Sequence, residues 1–382
     1  MTSSVVTEIH VSAPGKLILH GEHAVVYGKA AIAAALNLRS HLQLKQTTDG
    51  NLQLELPDVG ISVQFALASL ESISFSGSLE DQSHSDEDIL VIKNFAGIDV
   101  NSCEPKHLAI VSFLYVFCSI FKNKSQWPSL RVHFKSDLPV GAGLGSSAAF
   151  SVSLSAALLQ LAGHIDSLKL ADGITSWSNE DKIVINKWGF ICEKIIHGRP
   201  SGIDNSISTY GGALKMQNGQ ITHLEKMPQL SVMLVNTKVP RSTMVLVAGV
   251  RQKYNLYQDV MEPILNSVEA ITKRAENIYQ ECSTNITDDG FKALGDLVDL
   301  NHNLLNAMGV GHASLDQVVA VTKKYGLHSK LTGAGGGGCA YVLIPSDTSE
   351  ELLSSLKEEL NALGFDVWSK TTVGGLGVLR DL

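Results

Sequence analysis

The sequence predicts an α+β fold in two domains, and three features carry that reading. Its 382 residues exceed what one ordinary domain holds. Period-two leucine runs alternate with helical stretches through the first part. After Pro228 the texture changes, and one strand leads into several successive helices. We place the division near Met227, giving domains of residues 1–226 and 227–382. A hydrophobic share of 44% against 18% charged residues suits two buried cores rather than disorder.

Residues 8–12 open with strand alternation, and Leu36, Leu38, Leu42 and Leu44 continue it over 36–44. Between them "KAAIAAAL" reads by itself as a helix start, because alanine heads the helix scale. Leu52, Leu54 and Leu56 repeat the alternation after a "DGN" turn. Residues 76–88, "SGSLEDQSHSDED", are polar without an apolar period and predict a mobile surface loop.

Helices are predicted over 107–121 and 147–161. In the second, Phe150, Leu154, Ala157, Leu158 and Leu161 share a face, and Gly163 stops it. A third, over 179–197, buries Ile185, Trp188, Cys192, Ile195 and Ile196 and ends at "HGRPSG". "GGALKMQNGQITHLEK" reads as a hairpin turning at "NG". The second domain runs as strand "SVMLVNTKV", helices between 243 and 325, strand "HSKLT", a glycine run, strand "CAYVLI", a helix over 350–363 and strand "FDVWSKTT".

Several function classes are disfavoured. A net charge of -8 is no footprint for nucleic acid or an anionic membrane. Cys103, Cys118, Cys192, Cys282 and Cys339 are odd in number and form no CxxC pair, and no HExxH occurs among thirteen histidines. The N-terminus lacks the order of a signal peptide, and "HLAIVSFLYVFCSIFK" is short for a membrane span. A reducing, cytoplasmic setting is the expectation.

Three stretches bear on chemistry. "GAGLGSS", residues 141–147, precedes a helix; it is neither a Walker A loop nor a full dinucleotide fingerprint. Its alternate glycines exceed what a cap needs and allow backbone N–H groups to converge on a phosphate at a helix N-terminus. Ser146 or Ser147 as a plain N-cap is the simpler reading. "GAGGGG", residues 333–338, matches GxGxxG by letter, but a strand follows it, so a backbone bend beside a ligand fits better. In "SAPGKLILHGEHAVVYG" Lys16, His20, Glu22 and His23 interrupt an apolar segment as surface residues, ion-pair partners or site residues.

These stretches, in this order, resemble the three motifs of the galactokinase, homoserine kinase, mevalonate kinase and phosphomevalonate kinase superfamily. "SAPGKLILHGEHAVVYGK", "LPVGAGLGSSAA", "INKWGFICEKIIHGRPSGIDNSISTYGGAL", "NTKVPRST", "GVGHASLDQ" and "HSKLTGAGGGGC" resemble the mevalonate kinase family of animals, nearly end to end. The resemblance implies a ribosomal protein S5 domain 2-like α/β domain first and a ferredoxin-like α+β domain second, with sheet at "KAAIAAAL". It implies transfer of phosphate from ATP to the C5 hydroxyl of mevalonate, with Mg2+.

Carried over by motif, Gly141, Ala142, Gly143, Leu144, Gly145, Ser146 and Ser147 would hold the triphosphate. Ser147 and Glu193 would bind magnesium, although Glu193 by itself reads as a solvated helix residue. Asp204 would be the base, where a lone Asp after Gly is otherwise a turn or cap residue. Lys16 would be the active-site cation, also contacting ATP. Glu22, His23, Thr243 and Ala334 would border mevalonate, with Thr243 equally readable as a helix N-cap. Ser136 and Asp58 align with nucleotide-side positions, and Asp58 departs from the amide common in the family. A homodimer and feedback inhibition by prenyl diphosphates are further implications. The competing readings are another small-molecule kinase of the superfamily, such as a galactokinase or phosphomevalonate kinase, a catalytically inactive regulatory member, and a nucleotide-dependent dehydrogenase.

Overall fold

A computed structural model describes residues 7–81, 83–139, 141–169, 173–281 and 286–381; Val140 and Cys282 lie outside these. The first strands are β1 (Glu8–His20), β2 (Ala31–Thr47), β3 (Asn51–Leu56), β4 (Ile61–Ala66) and β5 (Ser129–Ser136). The predicted hairpin is β6 (Ala213–Gln217) and β7 (Gln220–His223). The later strands are β8 (Leu230–Asn236), β9 (His328–Leu331), β10 (Cys339–Leu343), β11 (Asp366–Val373) and β12 (Leu379–Asp381).

All twelve join one sheet, in the order β9-β10-β8-β11-β2-β5-β3-β4, with β1 on β2 and β12, and β6 on β2 and β7. The sheet therefore runs unbroken past residue 227. Val373 of β11 pairs with Leu36 of β2, and β12 returns to pair antiparallel with β1.

"KAAIAAAL" is strand, as the resemblance implied and against alanine's helix propensity. Ala31, Ile32, Ala33, Ala34, Ala35 and Leu36 are all buried. The segment pairs with β1 and β6, and Ala33 and Ala35 share a buried cluster with Ile203 and Ile207. A segment buried on both faces is decided by its packing, and small side chains let a helix approach closely.

Besides a short helical turn at Leu67–Glu71, the helices of the first half are α1 (Asp86–Phe95), α2 (Pro105–Phe121), α3 (Ser146–Leu161), α4 (Asn179–His197) and α5 (Ile203–Tyr210). The second half holds α6 (Thr243–Leu256), α7 (Gln258–Glu281), α8 (Asp288–Ala307), α9 (Ala313–Lys324) and α10 (Glu350–Ala362). The acidic loop prediction needs correction at its end. Asp88 lies inside α1, is buried, and accepts hydrogen bonds from the Ser76 N–H and hydroxyl. Its charge is spent on anchoring the chain that precedes it.

Phe113, Leu130, Val132, Leu154 and Trp188 belong to a core between the first sheet half and α2, α3 and α4. Met233, Val235, Leu265, Val318 and Leu356 form its counterpart in the second half. A third cluster joins Leu17, Leu36 and Leu144 to Leu234, Tyr279 and Tyr341, so apolar packing also crosses between the halves. Burying each such large side chain contributes about 1.5–3 kcal/mol, which opposes separation of the halves.

Candidate active site

The loop before α3 is held open by geometry that only glycine adopts cheaply. Gly141, Gly143 and Gly145 have φ of 71°, 75° and 81°. Gly145 occupies the N-cap, and no side-chain oxygen caps the helix. The capping reading of Ser146 and Ser147 is thereby corrected: both are helical residues with free use of their hydroxyls. The first N–H groups of α3 have no carbonyl partner within the helix, and its dipole favours an anion there.

Strand β1 carries Lys16 to this loop. A register shift between Pro14 and Lys16 re-aims the strand, and the Lys16 N–H donates to the Leu144 carbonyl at 2.8 Å. A Cβ on Gly145 would sit 3.0 Å from Lys16 Cγ. Lys16 Nζ lies 3.3 Å from Asp204 Oδ1. Asp204 stands in the first turn of α5, behind Gly202 at φ 84°. The ammonium is almost covered, whereas the Asp204 side chain keeps 33% of its surface open, so the carboxylate can face a small molecule.

Across from this pair, Ser147 Oγ donates to Glu193 Oε2 at 3.4 Å and lies 3.0 Å from His197 Nε2. Ser151 Oγ donates to Glu193 Oε1 at 3.2 Å. The solvated-helix reading of Glu193 is overturned, since the residue is only 2% exposed. Burial first, and the neighbouring Asp204 carboxylate second, push the Glu193 carboxyl up to about 8. A buried carboxyl with two serine hydroxyls beside it and the N-terminus of α3 nearby is an oxygen donor set that suits a hard cation, whose charge would favour the ionised carboxylate. Among the described residues no cluster of three or more His, Cys, Asp and Glu forms an all-protein metal cage. Magnesium needs none, because phosphate and water complete its shell.

The second glycine run closes the other side. Gly333, Gly335, Gly336, Gly337 and Gly338 all have positive φ, and β10 follows. His23 Nε2 donates to the Ala334 carbonyl at 2.8 Å while holding φ 60°, a strained value for a non-glycine residue. Arg241, which sequence reasoning did not single out, spans both runs. Its Nη2 donates to the Ala142 carbonyl at 2.7 Å, and its buried Nη1 has no hydrogen-bond partner among the described residues. A Cβ on Gly143 would fall 2.2 Å from Arg241 Nη2, and one on Gly338 2.3 Å from its Nε. The only hint was an isolated Arg inside "NTKVPRST", between strand and helix.

Two expectations move. Thr243 is the first residue of α6, exposed, and Ser242 is the N-cap, its hydroxyl accepting from the Val245 N–H at 3.4 Å. Glu22 is fully buried: one oxygen takes the Lys330 ammonium and the other the Asn301 amide. Asp58 and Ser136 do meet. Asp58 Oδ2 accepts from the Ser136 N–H at 2.8 Å, and Ser136 Oγ accepts from the Leu138 N–H at the entry to the glycine loop.

The sequence matches the family "GHMP kinases N terminal domain" over residues 112–212 and "GHMP kinases C terminal" over residues 284–362. It is 46% identical to a mevalonate kinase of Bos taurus over 371 residues, covering 96% of this chain and 93% of that one. Against the Homo sapiens mevalonate kinase the figures are 44%, 96% and 93%. This chain belongs to the mevalonate kinase family. The crystal structure of the Methanococcus jannaschii mevalonate kinase has the same fold, at TM-score 0.70 and 26% identity, covering 98% of this chain and 99% of that one. Within this mevalonate kinase family member, "GVGHASLDQ" acts as a brace: the Val310 carbonyl accepts from the Gly336 N–H at 2.8 Å.

Proposed function

We propose that the protein transfers the terminal phosphoryl group of ATP to the C5 hydroxyl of mevalonate. The observation that carries this reading is the Lys16–Asp204 pair, 3.3 Å apart, set between a glycine loop opening α3 and the oxygen pair of Ser147 and Glu193. Phosphoryl transfer requires positioning and charge stabilisation more than covalent chemistry. Each part has a residue in reach.

Backbone N–H groups of residues 141–147 receive the triphosphate, where the α3 dipole adds positive potential. Ser147 and Glu193 would hold Mg2+, which when bound neutralises phosphate charge as a Lewis acid. Asp204 Oδ accepts the proton of the attacking hydroxyl. Lys16 pairs with that carboxylate and faces the charge that develops on the transferred group. Arg241, fixed by Ala142 and with an Nη1 unpaired among the described residues, supplies a second cation at the junction of the two glycine runs. His23 and Ala334 border the acceptor end. With residues 1–226 carrying the nucleotide side and 227–382 contributing Arg241 and the second run, transfer takes place between the halves.

The test is ADP release on adding mevalonate, compared with galactose and phosphomevalonate, for wild type and Asp204→Asn. General-base loss lowers kcat by about 10²- to 10⁴-fold while ATP affinity persists. A folded Asp204→Asn protein with near-normal turnover would remove Asp204 from the mechanism.

A further inference from the structure

Beneath the cleft lies a charged cluster that no step above uses. Lys330 on β9 and Glu22, in the turn after β1, are both fully buried and ion-paired. Asn301 on α8 donates to the second Glu22 oxygen at 3.2 Å. Lys330 Nζ also donates to the Leu331 carbonyl at 2.8 Å and lies 5.3 Å from the centre of the Tyr341 ring. The Tyr341 hydroxyl in turn donates to the Leu19 carbonyl, and Thr332 Oγ1 to the Ile18 carbonyl. The Glu22, Leu19 and Ile18 links tie the end of β1 to the second half of the chain, and the Leu331 and Tyr341 contacts fix Lys330 within that half.

The two segments meet again one step further along. Glu22 is followed by His23, and four residues past Lys330 comes Ala334, whose carbonyl takes the His23 imidazole. His23 reaches it only by adopting φ 60°, and Gly21 before it has φ 96°, with no room for a Cβ against the Ala31 backbone. A strained residue persists where its surroundings over-determine it.

We propose that Lys330 is a positioning residue for the acceptor end of the cleft, acting through Glu22 to hold His23 in the conformation that reaches Ala334. This rests on the reading that His23 and Ala334 border mevalonate. It also explains why a lysine and a glutamate are kept in an interior where burial drives both toward their neutral forms.

Steady-state kinetics on Lys330→Met, Asn301→Ala and the double variant Glu22→Gln/Lys330→Met test it, each beside its melting curve. We expect Lys330→Met to raise the KM for mevalonate about tenfold or more while kcat and the KM for ATP stay within about threefold. Asn301→Ala should shift the same constant in the same direction by less. In the double variant no lone charge remains, so melting returns toward wild type. The mevalonate KM should nonetheless stay raised, because the link itself is gone. A KM that recovers together with the melting temperature, or equal losses for both substrates, would show a merely structural pair and overturn the proposal. Should Lys330→Met fail to fold, Asn301→Ala and the double variant decide. Wild type inactive on mevalonate defeats the functional reading instead, whereas active wild type with unmoved variant KM values defeats this proposal alone.

Discussion

The two glycine runs look alike as text and differ in what surrounds them. In residues 141–147 a Cβ on Gly141 would meet nothing within 4 Å, and the run ends in hydroxyls at the start of a helix. In residues 333–338 the neighbours crowd in. A Cβ on Gly335 would fall 2.0 Å from the Val310 carbonyl oxygen, one on Gly336 2.9 Å from Leu246, and one on Gly337 2.6 Å from Val239. The first run is open at Gly141 and is approached at Gly143 and Gly145 by the Arg241 and Lys16 side chains, whereas the second also lets main chain approach main chain, at Gly335. One composition thus serves two physical ends, and only the following element distinguishes them in the sequence.

The largest effect expected from breaking this contrast is Gly335→Ala. Its φ of 76° and the 2.0 Å approach to main chain leave no relief, so destabilisation should exceed about 4 kcal/mol, read as loss of the folded fraction in denaturant. A normal denaturation midpoint would mean that the second run is as open as the first.

Next comes Gly143→Val, which attacks the point where the runs communicate. The branched side chain meets Arg241 Nη2 and disfavours the positive φ. ATP affinity by calorimetry should fall about tenfold or more, with mevalonate affinity changing less. Equal ATP affinity in variant and wild type would refute the cradle.

Glu193→Gln sharpens the role of the oxygen pair. The folded carboxyl titrates at about 8 and the unfolded one near its ordinary value of 4.5, so the folded state holds a proton the unfolded state has released. The sign follows: this group's contribution to stability is present below about 4.5 and is lost as pH rises through about 8. Without added metal the Gln variant should melt higher than wild type above about pH 8 and match it near pH 4.5. Its magnesium requirement in turnover should rise. A pH-independent difference in melting would sever Glu193 from that titration.

Smallest is Gly141→Ala, where only the αL backbone is penalised. A cost of about 1 kcal/mol and a modest drop in melting temperature are expected. A collapse on the scale of Gly335→Ala would show that the open run is not open.

Sequence reading succeeded where one segment contains its own evidence. The leucine alternation of β2 and β3 and the spacing of Ile185, Trp188 and Cys192 on α4 each state which face is buried. It failed where the deciding atoms lie far along the chain. Glu193 reads as solvated until Ser147 and Ser151 are folded against it, and nothing near Glu22 in the sequence names Lys330 and Asn301 as its partners. Ala31 and Ala33 to Ala35 carry no period at all, and strands on both sides make them sheet. Arg241 had no pattern around it; its meaning lies in the carbonyl of Ala142.

The return of β12 to β1 has a consequence for how the molecule is made. His10, Val11 and Ser12 pair with Asp381, Arg380 and Leu379, and Arg39 donates to the Leu376 and Gly377 carbonyls as it grips the same strap. A ribosome delivers β1 first and its partner more than 350 residues later. Through most of synthesis that end of β1 is an unpaired edge, open to strands of other nascent chains. The sheet's first strand is thus among the last to be completed, and sequence-distant closure of this kind slows folding.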